Sequence, residues 1–398
     1  MLKNLNIAFV GNFYGHGKIY DQWGTSFCIL LSELECVKGI DVICPKGDSE
    51  NGMEFPDKIK IFDVIDYKKK FSVFNIIKSI KRSKYDLVIF NYGPTMYGKS
   101  SLMNLLGLFI PIYSNKINKN TVIISQGSSL TNDAENLGYK SLLDKIRLAV
   151  LMRLEKILYK KVKSFAQLPM YEKLLKERVK NNRVIGVLKS DYIDAMSTVY
   201  MNGYLNKESI ERTGDNDKPV ILLHGFWGPQ KNIELALETL NKIKENGYGF
   251  RLILSGGINV HFENYKEYFD KMVFKYNGII DKYLGYVEEK ELLWLFINSD
   301  LVLMPYNVPG GQSGVLEMSS FFDNNVICFD FPEFREELKD DGKILLVNKD
   351  GFYTAIESFL KNFKDSENII NIRKKIQEAE SNIKDFIDKS IVESKIES

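Results

Sequence analysis

The stretch Val220–Glu245, VILLHGFWGPQKNIELALETLNKIKE, decides the fold. Its first four residues, Val220–Leu223, are a short apolar run of the kind that makes a buried strand. His224-Gly225 closes it, and a glycine there permits a backbone approach that a side chain would block. From Ile233 to Glu245 apolar residues return every three or four positions, which predicts a helix. Lys231 enters just before that helix, where free N–H groups and a basic side chain together favour an anion such as a diphosphate. Strand, glycine turn and helix in this order open a doubly wound α/β sheet.

The same texture continues toward the C-terminus. Phe250–Leu254 is a strand ending at Ser255-Gly256-Gly257, and Tyr283–Tyr286 is a short strand. Glu288–Phe296 reads as a helix, Leu301–Met304 as a strand and Ser313–Phe322 as a helix; Val326–Phe329 and Ile344–Val347 are further strands. Between Leu301–Met304 and its helix lies PYNVPGGQSGV, Pro305–Val315, a second glycine-rich turn at a helix start. Two such starts in one domain suit a diphosphate. Ile369–Ile396 is charged and helical.

Toward the N-terminus the alternation is repeated. Leu5–Val10, Ile40–Cys44, Leu87–Phe90 and Val122–Ser125 are strand-like, and Gly24–Val37 and Phe71–Arg82 are helix-like. Leu102–Ile110 is apolar, Leu142–Lys163 is a long basic amphipathic helix, and Ser164–Leu168 and Val184–Leu188 close the series. Asn206–Pro219 is polar and reads as a connector. The fold class is therefore α/β, with two Rossmann-like doubly wound domains facing across a cleft. The expected boundaries are residues 1–190, a connector over 191–218 and a second domain over 219–374, with a terminal helix of about 375–398 packing back on the first. Ligands of open α/β sheets sit beyond the carboxyl ends of the strands. Here those ends are Gly11–Gly24, Gly225–Lys231, Gly256–Gly257 and Pro305–Val315.

Composition narrows the classes. Lys+Arg 54 against Asp+Glu 52 leaves a net charge of +2 over 398 residues, which gives no support for nucleic-acid binding. The cysteines Cys28, Cys36, Cys44 and Cys328 form no C-x-x-C pair, and His16, His224 and His261 are far apart, so no metal site is expected. The first apolar run ends at Gly11 without a signal-peptide cleavage site, and no run of ~18 apolar residues follows. A cytoplasmic chain is the expectation.

Two literal motifs compete with the Lys231 constellation. Gly93–Ser100, GPTMYGKS, fits G-x-x-x-x-G-K-[ST] between a strand and an apolar helix. It sits mid-domain, however, with the bulky Tyr97 in a loop that needs small residues, and Val122–Ser125 ends in Ser-Gln rather than a magnesium-holding Asp. Asp215-Asn216-Asp217 has the D-x-D spacing of a cation site but precedes its strand inside a polar connector, where a solvated loop is the better reading.

The second half resembles the donor domain of the GT-B glycosyltransferases of family four. His224–Leu240 (HGFWGPQKNIELALETL) is similar to that family's Gly-Arg…Lys-Gly segment and helix, and Arg251–Gly257 (RLILSGG) to its next strand and glycine turn. Tyr283–Tyr306, Ser313–Phe329 and Glu336–Val347 (EELKDDGKILLV) follow in the family's order, with weaker matches at Trp23–Pro45 and Asp86–Ile89. The resemblance implies a hexosyltransferase that moves sugar from a nucleotide-diphosphate donor to a glycan or lipid-linked hydroxyl, with retention, without bound metal or other cofactor. It makes the first domain the acceptor side and the second the donor side.

By the same resemblance Lys231 neutralises the diphosphate, with N–H groups near Gly311, Gln312, Ser313, Gly314 and Val315. Tyr286 packs near the base and Glu317 contacts the ribose, so Lys231 and Glu317 are the implied catalytic pair. Gly256 and Phe226 line the donor site, Gly24 lets the opposite wall approach the phosphates, and Gln126 lies on the acceptor side. The sequence departs from the family where Phe226 stands in place of Arg, Gly310 in place of the first acidic residue, and Gln126 in place of a histidine; Glu317 falls one residue early. Those departures keep a non-catalytic sugar-nucleotide-binding subunit as an alternative; a related GT-B nucleotide-sugar epimerase, which would carry more acid/base side chains in the cleft, is another, and a P-loop NTPase comes last. The basic helix Leu142–Lys163 adds an expectation of peripheral contact with the inner membrane face.

Overall fold

The computed structural model describes residues 3–13, 22–47, 54–69, 71–93, 96–97, 101–131, 142–189, 191–212, 218–308, 312–337, 342–364 and 369–392. The chain divides into two units: Met1–Ser197 with Gln377–Ser398, and Thr198–Ile376. Each is a doubly wound α/β fold around its own parallel sheet.

The first unit contains β1 (Leu5–Val10), β2 (Val37–Pro45), β3 (Ile59–Ile65), β4 (Leu87–Tyr92), β5 (Thr121–Ser125), β6 (Lys163–Ala166) and β7 (Val184–Val187). They lie in the order β3-β2-β1-β4-β5-β6-β7, all parallel. β4 and β5 are buried at every residue. The middle of a parallel sheet is covered on both faces, which is why LVIFNY and TVIIS read as unbroken apolar runs. β3 escapes the sequence reading for the opposite reason: it is an edge strand, IKIFDVI, with Lys60, Phe62 and Asp63 open to solvent.

The long basic helix ends at Lys161, not Lys163. Lys163 opens β6, is buried, and its Nζ donates to the Ser390 carbonyl at 3.4 Å. It therefore leaves the solvated basic set. On the same helix Glu155 is fully buried. The helix packs beside Phe109–Ile117, which packs beside Phe74–Arg82. The outer side of these three helices exposes Phe74, Phe109, Tyr113, Ile146, Val150 and Ile157 among lysines and arginines, and none of their described side chains exposes a carboxylate.

Of the P-loop-like segment, Pro94, Thr95 and Gly98–Ser100 lie outside the described residues. Tyr97 is fully buried, packed so tightly on Gly107 that a Cβ there would meet its ring at 2.1 Å. At the C-terminus, Phe386 of the helix Arg373–Val392 packs on Phe27 and Phe165, with centroids 5.8 and 4.6 Å apart.

The second unit contains β8 (Ser209–Glu211), β9 (Val220–His224), β10 (Arg251–Ser255), β11 (Lys282–Leu284), β12 (Leu301–Met304), β13 (Asn325–Phe329), β14 (Ile344–Val347) and β15 (Ile369–Asn371). The main sheet runs β11-β10-β9-β12-β13-β14. Its strand order reverses between β9 and β12, and that reversal opens a crevice at their carboxyl ends. The segment read as a connector is not bare: β8 within it pairs antiparallel with β15. Ile369 thus lies in a strand, and the terminal helix begins at Arg373. Ile210 and Ile370 face inward between exposed neighbours, a period-two pattern too short to stand out beside the charged helix that follows. Asp215–Asp217 lie outside the described residues.

Candidate functional site at the second switch point

The loops leaving β9, β10 and β12 meet at this crevice. Gly225 (φ +144°) and Gly256 (φ +114°) both adopt the left-handed region, and a Cβ on Gly256 would fall 1.8 Å from the Gly225 carbonyl oxygen. Only glycine allows two strand ends this close. The Trp227 N–H donates to the Gly257 carbonyl at 2.7 Å, and Asn259 returns a bond to the Trp227 carbonyl at 2.9 Å. Trp227 is buried on Phe269, ring to ring at 5.6 Å, and so anchors the loop. The Asn307 N–H donates to the Gln230 carbonyl at 2.8 Å, tying the loop after β12 to the 3-10 turn Pro229–Lys231.

That turn aims Lys231 into the crevice. Its ammonium lies 3.5 Å from the Tyr306 ring centroid, a cation–π contact. The position a Cβ on Gly225 would occupy is 3.9 Å from it. Among the described residues no carboxylate pairs with it. Solvent still reaches part of the side chain, yet burial pushes its pKa down to about 7. His224 adds no charge: its ring nitrogen Nδ1 shares a hydrogen bond with the Ser255 hydroxyl at 2.7 Å, and burial, then Lys231, lower its pKa to about 4. Burial holds the Tyr306 phenol un-ionised, with Glu337 adding to that effect and Ser313 opposing it. Among the described residues the site is therefore one enclosed cation without a counterion.

Ser313 caps the helix Gly314–Phe321, its hydroxyl accepting from the Leu316 N–H at 3.4 Å. The Ser313 N–H itself donates to the Glu337 carboxylate, at 3.1 and 3.2 Å to its two oxygens. An acidic side chain thus already sits on one of the amides read as anion donors. The Gly314 and Val315 amides, in the first turn, have no backbone acceptor among the described residues. Glu317 is buried and accepts a short hydrogen bond from the Gln312 amide. Gly310 and Gly311 lie outside the described residues. Phe226 and Tyr286, both half exposed, face one another with centroids 6.5 Å apart and planes 30° apart.

In the first unit, Gly24 is buried in the first turn of the helix Gln22–Glu33. Gln126 follows β5, its N–H donating to the Tyr92 carbonyl at 2.9 Å and its side-chain oxygen accepting a short bond from Gln167. Beside it is a network the sequence reading missed. The Glu155 carboxylate accepts from Tyr92 Oη at 2.8 Å, Ser128 Oγ at 3.0 Å, the Ser129 N–H at 2.9 Å and the Ser129 hydroxyl. Burial raises its pKa while these donors oppose the rise. The signal was faint: one glutamate among the leucines of a basic helix. Glu337 was missed because it reaches the site from a helix whose pattern declares only a helix, and Tyr306 because the turn that carries it, Pro305–Val315, was read for its glycines and not for its ring.

Residues 206–376 match the family model described as glycosyl transferases group 1. No curated protein sequence matches significantly. Among solved structures, sucrose-phosphate synthase from Thermosynechococcus elongatus is similar over 99% of this chain and 98% of its own, at 15% identity and a TM-score of 0.62. Anabaena Alr3699/HepE, solved in complex with UDP and glucose, is similar over 97% and 95%, at 12% identity and a TM-score of 0.58. A glycosyltransferase from Rickettsia africae is similar over 98% and 97%, at 15% identity and a TM-score of 0.58. Likeness at such identities is a likeness of fold: two Rossmann-like domains, as the sequence pattern predicts.

Proposed function

We propose that the chain is a glycosyltransferase that moves a hexose from a nucleoside-diphosphate sugar to a hydroxyl of a glycan or lipid-linked acceptor. The observation that carries this reading is Lys231, an enclosed ammonium without a counterion among the described residues, at the switch point of the second sheet. The match of residues 206–376 to a glycosyltransferase family and the UDP bound in the Anabaena relative support it. Lys231 and the Gly314 and Val315 amides take the diphosphate, and the lysine offsets charge on it as the sugar leaves. Transfer proceeds with retention, the leaving group being stabilised by protein charge rather than by a metal.

The test is turnover of a panel of nucleotide-sugars by the wild type and Lys231→Ala. Equal binding and turnover of every donor by the variant would place the site elsewhere. A second reading, a non-catalytic sugar-nucleotide-binding subunit, draws on Phe226 standing where the resemblance has Arg and on Glu317 being held by Gln312. Calorimetric binding without any product would favour it. For the acceptor side, the exposed apolar and basic face of the first unit supports contact with an anionic inner membrane face from the cytoplasm. No described helix is long and apolar enough to cross a membrane.

A further inference from the structure

A cavity of about 390 Å³ lies at the amino ends of β1, β2 and β3 and beside the turn into β4, at the end of the first sheet opposite to Gln126. Small-molecule pockets begin at about 300 Å³. Three segments distant in the chain bring basic side chains to it: Lys38 at the start of β2, Lys58 and Lys60 about the start of β3, and Lys84 ahead of β4. Lys38 arrives through a bulge. Leu5 pairs with Val37 and Asn6 with Gly39, so Lys38 is an extra residue in β2, and a bulge re-aims the side chain it carries. Lys58 is spent on the fold, its Nζ donating to the Ser32 and Leu34 carbonyls at 2.7 and 3.2 Å. Lys38, Lys60 and Lys84 are exposed, and among the described residues no carboxylate pairs with them. The acidic side chains of the lining, Asp41 and Asp57, are two against four lysines. A recess with positive charge in excess gathers anions. The rest of its wall is neutral and polar. Asp41 accepts from the Tyr85 hydroxyl at 2.7 Å, and burial, then Asp41, push the Tyr85 pKa up to about 12, so the phenol keeps its proton.

We propose that this cavity is a binding site for a phosphorylated sugar, with Lys38, Lys60 and Lys84 on the phosphate and Asn6, Asp41 and Ser83 on the hydroxyls. Lysine meets a phosphate as a point charge, and ammonium groups arriving from three sides suit its several oxygens. Inorganic phosphate alone would leave much of the cavity unfilled. Amide, carboxylate and hydroxyl side chains supply the mixture of donors and acceptors that sugar hydroxyls require. The site belongs to a different unit from Lys231, and it stands or falls independently of the donor site.

The experiment measures binding of glucose 6-phosphate, inorganic phosphate and glucose to the full chain by calorimetry. It uses the wild type, Lys38→Gln, Lys60→Gln, Lys84→Gln, the triple variant and Lys271→Gln, an exposed lysine of the second unit; thermal melting verifies that each is folded. Glucose 6-phosphate should bind one to one, more tightly than inorganic phosphate, which lacks the hydroxyls, and than glucose, which lacks the charge. Each single variant of the cavity should weaken it by about 3- to 10-fold, and the triple variant by roughly 30-fold or more, with Lys271→Gln unchanged. No binding by the wild type, wild-type affinity in the triple variant, or an equal loss in Lys271→Gln would overturn the site. Inorganic phosphate bound as tightly as glucose 6-phosphate would overturn the assignment to a sugar. Failure of the donor site would show instead in the nucleotide-sugar panel with Lys231→Ala.

Discussion

The ammonium of Lys231 stands 3.5 Å from the centroid of the Tyr306 ring. One residue follows β9 and the other follows β12, the two strands between which the sheet reverses order. The ring is an electrostatic partner but not a counterion, and the lysine pKa falls to about 7 as a result of its burial. Binding of a nucleotide-sugar, whose diphosphate does not titrate near neutrality, requires the charged form. Its affinity should therefore be flat below pH ~7 and fall by up to about tenfold per unit above it. Calorimetry across pH 6–9 checks this, and Lys231→Met should lack the slope.

The same lysine weakens the fold when charged. Its folded pKa of about 7 lies below the ordinary 10.5, so the unfolded chain binds the proton more tightly. Stability at this site rises with pH between those two values and is lowest below the first. Lys231→Met should raise the stability of the ligand-free protein by ~1–2 kcal/mol at pH 6 while weakening donor binding. Urea unfolding at pH 6 and pH 9 reads both the gain and the loss of pH dependence.

Gly256 is the hinge pin of the crevice. Alanine there puts a Cβ 1.8 Å from the Gly225 carbonyl oxygen at a φ of +114°. Gly256→Ala should cost about 3 kcal/mol or more and move the loop that carries Phe226 and Trp227. Gly257→Ala, with open space around its Cβ position, is the matched control and should change stability by less than about 1 kcal/mol. Chemical denaturation of the pair decides the point.

Glu155 accepts from four donors, three of them on the loop after β5 and the fourth, Tyr92, at the end of β4. Glu155→Ala leaves Tyr92, Ser128 and Ser129 without their acceptor and should cost about 3 kcal/mol. Because burial raises the Glu155 pKa, ionising it opposes folding; stability falls as pH rises from the ordinary carboxylate pKa toward the raised one. Glu155→Gln should flatten that part of the stability profile measured between pH 4 and pH 8.

The face formed by the helices Phe74–Arg82, Phe109–Ile117 and Leu142–Lys161 makes a separate prediction. Neutralising Lys81 and Lys116 to Gln should weaken co-sedimentation with vesicles rich in anionic lipid by roughly 30-fold, at about 1 kcal/mol per basic residue. Binding by the wild type that is equal for anionic and neutral vesicles would remove the membrane reading.

By itself the sequence determined the two parallel sheets and the loop that carries the lysine. Buried central strands must be continuously apolar, so Leu87–Tyr92 and Thr121–Ser125 declared themselves, and the Gly225–Lys231 turn followed from the switch of period between Val220–Leu223 and Ile233–Glu245. Edge strands need only half a pattern, so Ile59–Ile65 and the pair Ser209–Glu211 with Ile369–Asn371 did not. What only the tertiary structure decided is the state of the charges. Whether a lysine is solvated or enclosed depends on what other segments place around it. Lys231 beside Tyr306, Lys163 beneath Ser390, Glu155 among three donor side chains and Glu337 on the Ser313 amide are all contacts between residues distant in the chain, and local periodicity carries no record of them.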